Sequence, residues 1–416
     1  MMRLLTLERS SKLISEIARR GAADTARVEP TVRKIVKDVR RKGDPSLRRF
    51  ATRLDGLAAH ESLKCSTEEM RGAWRATSPE FQSALKAAAR NIRRFCEWQL
   101  PRPWSRAAGE GIQLGQLVRP LDSVGCYVPG GRYPLPSTVL MTVVPAQVAG
   151  VRRIVVVSPK PARETLAAGY FLGVKEMYRV GGAQAIAALA YGTHTIDAVA
   201  KIVGPGNIYV TTAKKLVAFD CSIDMLAGPT EALIVSNRGN PKFIAADLVA
   251  QAEHDPQTLL VFLTTSKSLG QAVKKEVTAQ AARNAIAKQA LAKRGYIFVA
   301  RDMGQAMQVA NQLAAEHITV DEDLVDGVTS AGSVFVGDYS AQSFGDYASG
   351  PNHVLPTGGL ARIRGGLSVM DYLKVITVQH ISRRGLLQLA SIAMPIAKAE
   401  GLLAHANSIS VRCADA

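Results

Sequence analysis

Ser123-Val-Gly-Cys-Tyr-Val128, followed at once by Pro129-Gly-Gly131, is a short β-favouring run that ends on a glycine turn. It is far too short to span a membrane and has the length of a buried strand. The same texture returns at 153–157, 199–203, 232–235, 259–263, 297–299 and 333–336. Helical patterns lie between these runs, among them Ala183-Gln-Ala-Ile-Ala-Ala-Leu-Ala190 and the stretch 271–293. Strands that alternate with helices predict parallel sheets covered on both faces, hence an α/β fold. At 416 residues the chain exceeds what one core usually supports, so more than one domain is expected. The first hundred residues read as helices with charged faces, and the chain reads as helical again after about residue 373.

Four glycine turns punctuate the middle of the chain: Pro129-Gly-Gly131, Gly181-Gly182, Gly204-Pro-Gly-Asn207 and Ala227-Gly-Pro-Thr230. Any one of them is explained by glycine's freedom in φ. In succession, each after a strand, they suggest a shared crevice at the carboxyl ends of strands, where ligands bind in open α/β sheets. No Gly-x-Gly-x-x-Gly fingerprint opens a helix, so the pattern alone does not give a dinucleotide site.

Composition narrows the function. Apolar content of 47% with 21% charged residues is that of a globular protein. The longest apolar stretch, 137–151, is interrupted by Pro145 and Gln147, and the start of the chain has no signal-peptide pattern. A cytoplasmic protein without a membrane partner is expected. The five cysteines are scattered and form no Cys-x-x-Cys pair, which argues against disulfides or a thiolate zinc site. Cys126 could be a reactive thiol or a small buried hydrophobe. The net charge of +17 raises the question of nucleic acid. Much of it lies in 32–42, where Ile35, Val36 and Val39 recur at helical spacing opposite the basic residues, with no interleaved aromatics. That is a solvated helix face, and no nucleic-acid partner is expected.

Chemistry concentrates on histidine. Four of the seven histidines stand in polar clusters: Gln251-Ala-Glu-His254, Glu316-His317, Asp346 with Asn352-His353, and Glu400 with His405. Imidazole serves both as a neutral metal ligand and as a base near neutrality, so histidine beside carboxylates points to a metal-dependent enzyme. Asn240-Pro241 predicts a capped helix start, and Gln251 and His254 then fall on one face at its far end. Glu316 and His317 would share proton transfers if a turn aims both into a cleft. The Gly- and Pro-rich stretch 345–359 reads as a functional loop holding Asp346 and His353. Taken singly, most of these patterns are also those of ordinary surface residues. His60, His194 and His380 show no clustering.

Along its whole length the chain resembles the histidinol dehydrogenase family. The resemblance rests on Gly125-Cys-Tyr-Val-Pro-Gly-Gly131, Val180-Gly-Gly-Ala-Gln184, Gly204-Pro-Gly-Asn207, Ala227-Gly-Pro-Thr-Glu231, Gln251-Ala-Glu-His254, Glu316-His317, Gly345-Asp-Tyr-Ala-Ser-Gly350, Asn352-His-Val-Leu-Pro-Thr357 and Gly365-Gly-Leu-Ser-Val369. It implies an NAD-linked, zinc-dependent, four-electron oxidation of L-histidinol through L-histidinal to L-histidine. One zinc per subunit would be held by Gln251, His254, Asp346 and His405, the last from the partner in an intertwined homodimer with a shared active site. Glu316 and His317 would be the proton acceptors, His317 in the first oxidation and Glu316 in activating water for the second. NAD would meet Tyr127, Gln184 and Asn207. Substrate would meet Thr230, Gln251, His254, His317, Asp346, His353, Glu400 and His405.

The implied fold has two large incomplete Rossmann-like domains with parallel sheets and small N- and C-terminal helical units. These would be an N-terminal segment 1–22, a first domain made of 23–125 with 232–372, an NAD-binding domain 126–231 and a dimerisation domain 373–416. Two positions depart from the family's usual pattern. Thr230 stands where serine is common, and Ala315 stands before Glu316 where proline is frequent. The alternative within the same superfamily is a zinc-dependent dehydrogenase of another polyol, such as a sulfonated diol.

Overall fold

A computed structural model describes residues 1–20, 25–58, 60–130 and 133–414. The chain divides into two compact units, Met1–Gln99 with Asp122–Tyr372, and Leu100–Leu121 with Leu373–Ala416. Gly131 and the expected 22/23 boundary lie outside the described residues.

The larger unit holds two parallel sheets. One has the strand order Arg3–Thr6, Gly295–Val299, Leu259–Thr264, Glu231–Val235, His317–Val320 and Ser333–Val336. Every residue of Leu259–Thr264 and Glu231–Val235 is buried. The pleat sends alternate side chains to opposite faces. Leu233, Val235, Val261 and Leu263 therefore join one core cluster, while Ala232, Ile234, Leu260 and Phe262 join another beneath the sheet's second face. Coverage on both faces is why these strands read as unbroken apolar runs.

The other sheet has the order Glu176–Tyr178, Arg153–Val157, Ser123–Tyr127, Lys201–Val203 and Ser222–Ile223. Numbered along the chain, its strands run 3-2-1-4-5, the doubly wound order without its sixth strand. The switch point lies between Ser123–Tyr127 and Lys201–Val203. The four glycine turns each follow a strand of this sheet, as expected. Gly204 shows what one of them requires. Its φ is +111°, and a Cβ there would overlap the carbonyl oxygen of Tyr127. Val32, Ile35, Val36 and Val39 are the buried face of the helix Glu29–Lys42 and belong to this sheet's core together with Leu47, Phe50 and Leu63. These buried side chains thus share a core with the five-stranded sheet.

Beneath the Gly204 turn lies a buried ion pair. Lys214 Nζ meets Asp224 Oδ1 and donates to the Gly204 carbonyl at 3.0 Å, with side-chain exposures of 2% and 0% for the pair. Asp224 Oδ2 accepts the N–H of Gly204 at 2.8 Å.

Three local readings change. Arg3–Thr6 is a strand, although the first hundred residues read as helical. The stretch 271–293 is broken where Asn284 caps the helix Ala285–Arg294. Leu373–Ile381 is a strand, paired antiparallel with Ile112–Pro120, which in turn pairs with Trp104–Gly109. The sequence Leu-Lys-Val-Ile-Thr-Val-Gln-His-Ile is rich in β-branched residues, but the amphipathic helix Arg383–Ala399 behind it dominates the pattern. Within this smaller unit Ile112, Ala390, Ala397 and Ala406 are the buried apolar residues, while Ile376, Leu387, Ile392, Ile396 and Leu403 are exposed. Among the described residues no helix is long and apolar enough to cross a membrane.

Candidate active site

The cluster is assembled by three short pieces of local structure. Asn240 caps the helix Pro241–Ala252, its side chain accepting the N–H of Lys242 at 2.9 Å, with proline in the first turn. The helix ends at Ala252, and the His254 N–H still reaches the Gln251 carbonyl at 3.3 Å. Ala314 takes the left-handed conformation (φ 48°) at the end of Met303–Leu313, and the chain then enters the strand His317–Val320. Glu316 and His317 therefore sit at a helix-to-strand turn, as their sequence adjacency demanded. Asp346 is on the short helix Gln342–Tyr347 rather than in an irregular loop; the irregular stretch follows it. Asp247, one turn before Gln251, accepts the N–H of Gln342 at 3.4 Å and so ties the two helices together.

These pieces meet. Gln251 Nε2 lies 3.3 Å from Asp346 Oδ2, and His317 Nε2 lies 3.5 Å from Asp346 Oδ1. His317 Nδ1 is 3.7 Å from Glu316 Oε2, which accepts the backbone N–H of Glu231 at 3.0 Å. His353 Nδ1 is 2.8 Å from the Asp346 carbonyl oxygen, and its Nε2 is 3.2 Å from Thr138 Oγ1. His254, Glu316, His317, Asp346 and His353 line one cavity of about 1090 Å³, walled also by Thr230 and by Asn207 on the Gly204 turn. The cavity therefore joins the carboxyl edge of the five-stranded sheet to the amino edge of the six-stranded one, where Glu231 and His317 are first residues of their strands.

Burial sets the charges. Glu316 is 7% exposed, and desolvation pushes its carboxyl up to about 7 despite the neighbouring His317. For His317 burial opposes the charged form, but Glu316 and Asp346 outweigh it and raise its pKa. His254 and His353 are lowered by burial, which favours neutral imidazoles. Asp346 is lowered, His317 overcoming the desolvation that works against its charge. Both His317 ring nitrogens lack a hydrogen-bond partner, since 3.5 and 3.7 Å exceed a bond. An imidazole left in this state beside a cavity is ready for a ligand's polar group. A proton-accepting Glu316 predicts that kcat/KM rises with pH through about 7 and flattens above it. In Glu316→Gln that limb should be absent from the pH profile.

Not every expected contact reaches the cavity wall. Tyr127 is 3% exposed in the core of the five-stranded sheet, its hydroxyl accepting the Gly182 N–H at 3.1 Å. Gln184 is fully buried, its Nε2 donating to Asp55 at 3.0 Å and its Oε1 without a partner. Of the three expected NAD contacts, Asn207 alone lines the cavity; it also caps the helix Ile208–Val217. Glu400 and His405 belong to the smaller unit and are exposed, Glu400 at the end of Arg383–Ala399 and His405 in Leu403–Ala414. Cys126 is fully buried and its thiol is pushed up to about 12, so it is a core residue and not a nucleophile. The unclustered His60, His194 and His380 are exposed.

Sequence reasoning missed Glu231, Arg20, Thr138 and Phe335. Glu231 closed a motif but passed as a strand start. The lone arginine gave no signal, and Phe335 stacks on His317 (centroids 5.9 Å apart) from a strand read only as core.

The donor chemistry suits a divalent cation. Gln251 Oε1 is buried without a partner, a costly state that coordination would relieve. Beside it stand an ionised carboxylate at Asp346 and a neutral imidazole at His254. Among the described residues no three His, Cys, Asp or Glu side chains form a ready metal set. Within the larger unit the donor set thus comprises two such residues and an amide.

The histidinol dehydrogenase family model matches residues 18–413. The chain is 46% identical over 405 residues to histidinol dehydrogenase of Aquifex aeolicus, covering 95% of each, and 44% identical over 416 residues to that of Methanothermobacter thermautotrophicus, covering 97% of each. The crystal structure of histidinol dehydrogenase from Elizabethkingia anophelis superposes with a TM-score of 0.94 at 33% identity, over 100% of this chain and 98% of that one.

Proposed function

This chain belongs to the histidinol dehydrogenase family, and from that premise we propose that it oxidises L-histidinol to L-histidine with zinc and NAD in the cytoplasm. The observation that carries the reading is the Glu316–His317–Asp346 cluster, buried at the wall of a large cavity with the Gln251 oxygen unpartnered beside it. Gln251, His254 and Asp346 would hold zinc, completed by His405 of a second subunit; Asn207 would meet NAD at the cavity wall, while the buried Tyr127 and Gln184 would serve it indirectly, by holding the Gly181–Gly182 turn. When bound, zinc supplies a template for the substrate's imidazole and amine, and NAD takes hydride.

The chain's own groups then divide the proton work. His317 Nε2, unpartnered, takes the hydroxyl proton in the first oxidation. With Asp346 engaged by a cation, less of its charge would act on His317, which would favour the neutral imidazole a base needs. Glu316 Oε2 is held by the Glu231 N–H, which leaves Oε1 to take a proton from the water that hydrates the aldehyde. Thr230 and His353 stand on the cavity wall as substrate contacts, and Glu400 would offset the cation's charge. Burial around the pair limits water, which protects a reactive aldehyde.

A shared-site homodimer is supported by the smaller unit. A sheet and two helices that bury little apolar surface and expose Ile376, Leu387, Ile392, Ile396 and Leu403 need a covering surface.

The test is one assay: purified protein, NAD and L-histidinol, following NADH and histidine together, before and after a chelator. Turnover that the chelator abolishes and added zinc restores is the expected result. NADH from a sulfonated diol with none from histidinol would transfer the chain to the related polyol enzymes. Chelator-resistant histidinol turnover would remove zinc from the scheme.

A further inference from the structure

Glu316 is held by a residue that is itself held. The Glu231 carboxylate is buried, and Arg20 grips it with two parallel bonds, Nε to Oε1 and Nη2 to Oε2, both 2.5 Å, at side-chain exposures of 7% and 4%. Bidentate geometry of this kind fixes direction as well as distance. Arg20 is anchored in turn, donating to the carbonyls of Ile17 at 2.9 Å and Leu313 at 2.8 Å. The Leu313 carbonyl lies at the end of the helix that leads into the Ala314 turn and Glu316. Glu231 Oε1 also accepts the N–H of Gly358 at 2.9 Å, from the stretch just beyond His353. One guanidinium thus ties three segments of chain around the base, and both Arg20 and Glu231 line the cavity.

We propose that Arg20 and Glu231 are positioning residues for Glu316: the ion pair locks the start of the strand Glu231–Val235, so that its first backbone N–H presents a fixed bond to Glu316 Oε2. This rests on the proposed role of Glu316 as a proton acceptor. The pair also sets that group's electrostatic surroundings. The charged or titratable groups around Glu316 are His317 beside it, Glu231 across the strand edge, Asp346 from its helix and Arg20 behind Glu231. A negative Glu231 disfavours the Glu316 carboxylate, and the opposite charge of Arg20, paired with Glu231, works against that.

The two single variants therefore move the pH profile in opposite directions. Arg20→Met leaves an uncompensated carboxylate beside Glu316, so the acid limb of kcat against pH should move to higher pH. Glu231→Gln removes that charge, so the limb should move to lower pH. In each, kcat at the optimum should fall by roughly 10- to 100-fold through loss of alignment, with KM for histidinol within about threefold of the parent. Arg20→Lys, which keeps the charge but not the fork, should regain part of kcat. A merely structural pair would lower melting temperature in both variants without splitting the limb. Opposite shifts support the inference; shifts of one sign, or an unmoved limb with kcat within about threefold, overturn it. If one variant does not fold, the direction in the other decides. Glu316→Gln keeps the two ideas apart. Full turnover there defeats the proton-acceptor role itself, whereas lost turnover there with an unmoved limb in the pair's variants defeats only the positioning role.

Discussion

His317→Ala is expected to lower kcat by about 10²- to 10⁴-fold, the range for removal of a positioned acid or base. KM for histidinol should change much less. The size of the effect follows from isolation. His317 is 2% exposed, stacked on Phe335, and faces Asp346 and Glu316. Because His317 and Glu316 share one site, their losses should not add: the double variant with Glu316→Gln should be little slower than the worse single variant. Rapid-mixing kinetics with L-histidinol and then with L-histidinal would separate the roles. The alanine variant should fail mainly at the alcohol, the glutamine variant mainly at the aldehyde. A His317→Ala protein with parental kcat on histidinol would refute the assignment.

The second large effect is on stability. Lys214→Met strands Asp224 at 0% exposure without its cation, and breaking a buried pair from one side costs about 3–5 kcal/mol. Removing both charges, as Lys214→Met with Asp224→Asn, should recover most of that loss, because an asparagine oxygen can still take the Gly204 N–H. Urea midpoints of the two variants and the parent would check this. With Asn207 in its proposed role, NAD binding should weaken as well in Lys214→Met, because the pair sits directly under the turn that presents Asn207 to the cavity.

The parallel sheets were legible in the sequence because a strand buried on both faces leaves an unbroken apolar run between glycine turns. The edge and antiparallel strands were not. Arg3–Thr6 is short, and Leu373–Ile381 keeps an exposed face and borders a long amphipathic helix, so local pattern gave the wrong period. The clustering of Gln251, His254, Glu316, His317, Asp346 and His353 was legible because histidine is scarce in this chain and stands beside carboxylates and amides at these places. What supports them was hidden. Arg20 and Glu231 are 211 residues apart, and no local pattern signals a partner at that separation. The cavity meets the carboxyl ends of strands in the five-stranded sheet alone. On the other sheet, Glu316 and His317 lie at the opposite edge, and the helix-to-strand turn at Ala314 brings them there.

The strand Arg3–Thr6 is made well before its partner, since its neighbour Gly295–Val299 comes some 290 residues later. At about 5–20 residues per second the nascent chain waits roughly 15–60 s for that partner. Until then Arg3–Thr6 has no sheet to join, and one edge of Gly295–Val299 is sealed only when that strand returns to it. Deleting the first six residues should therefore hurt yield and aggregation in the cell more than it hurts the chemistry of whatever protein does mature.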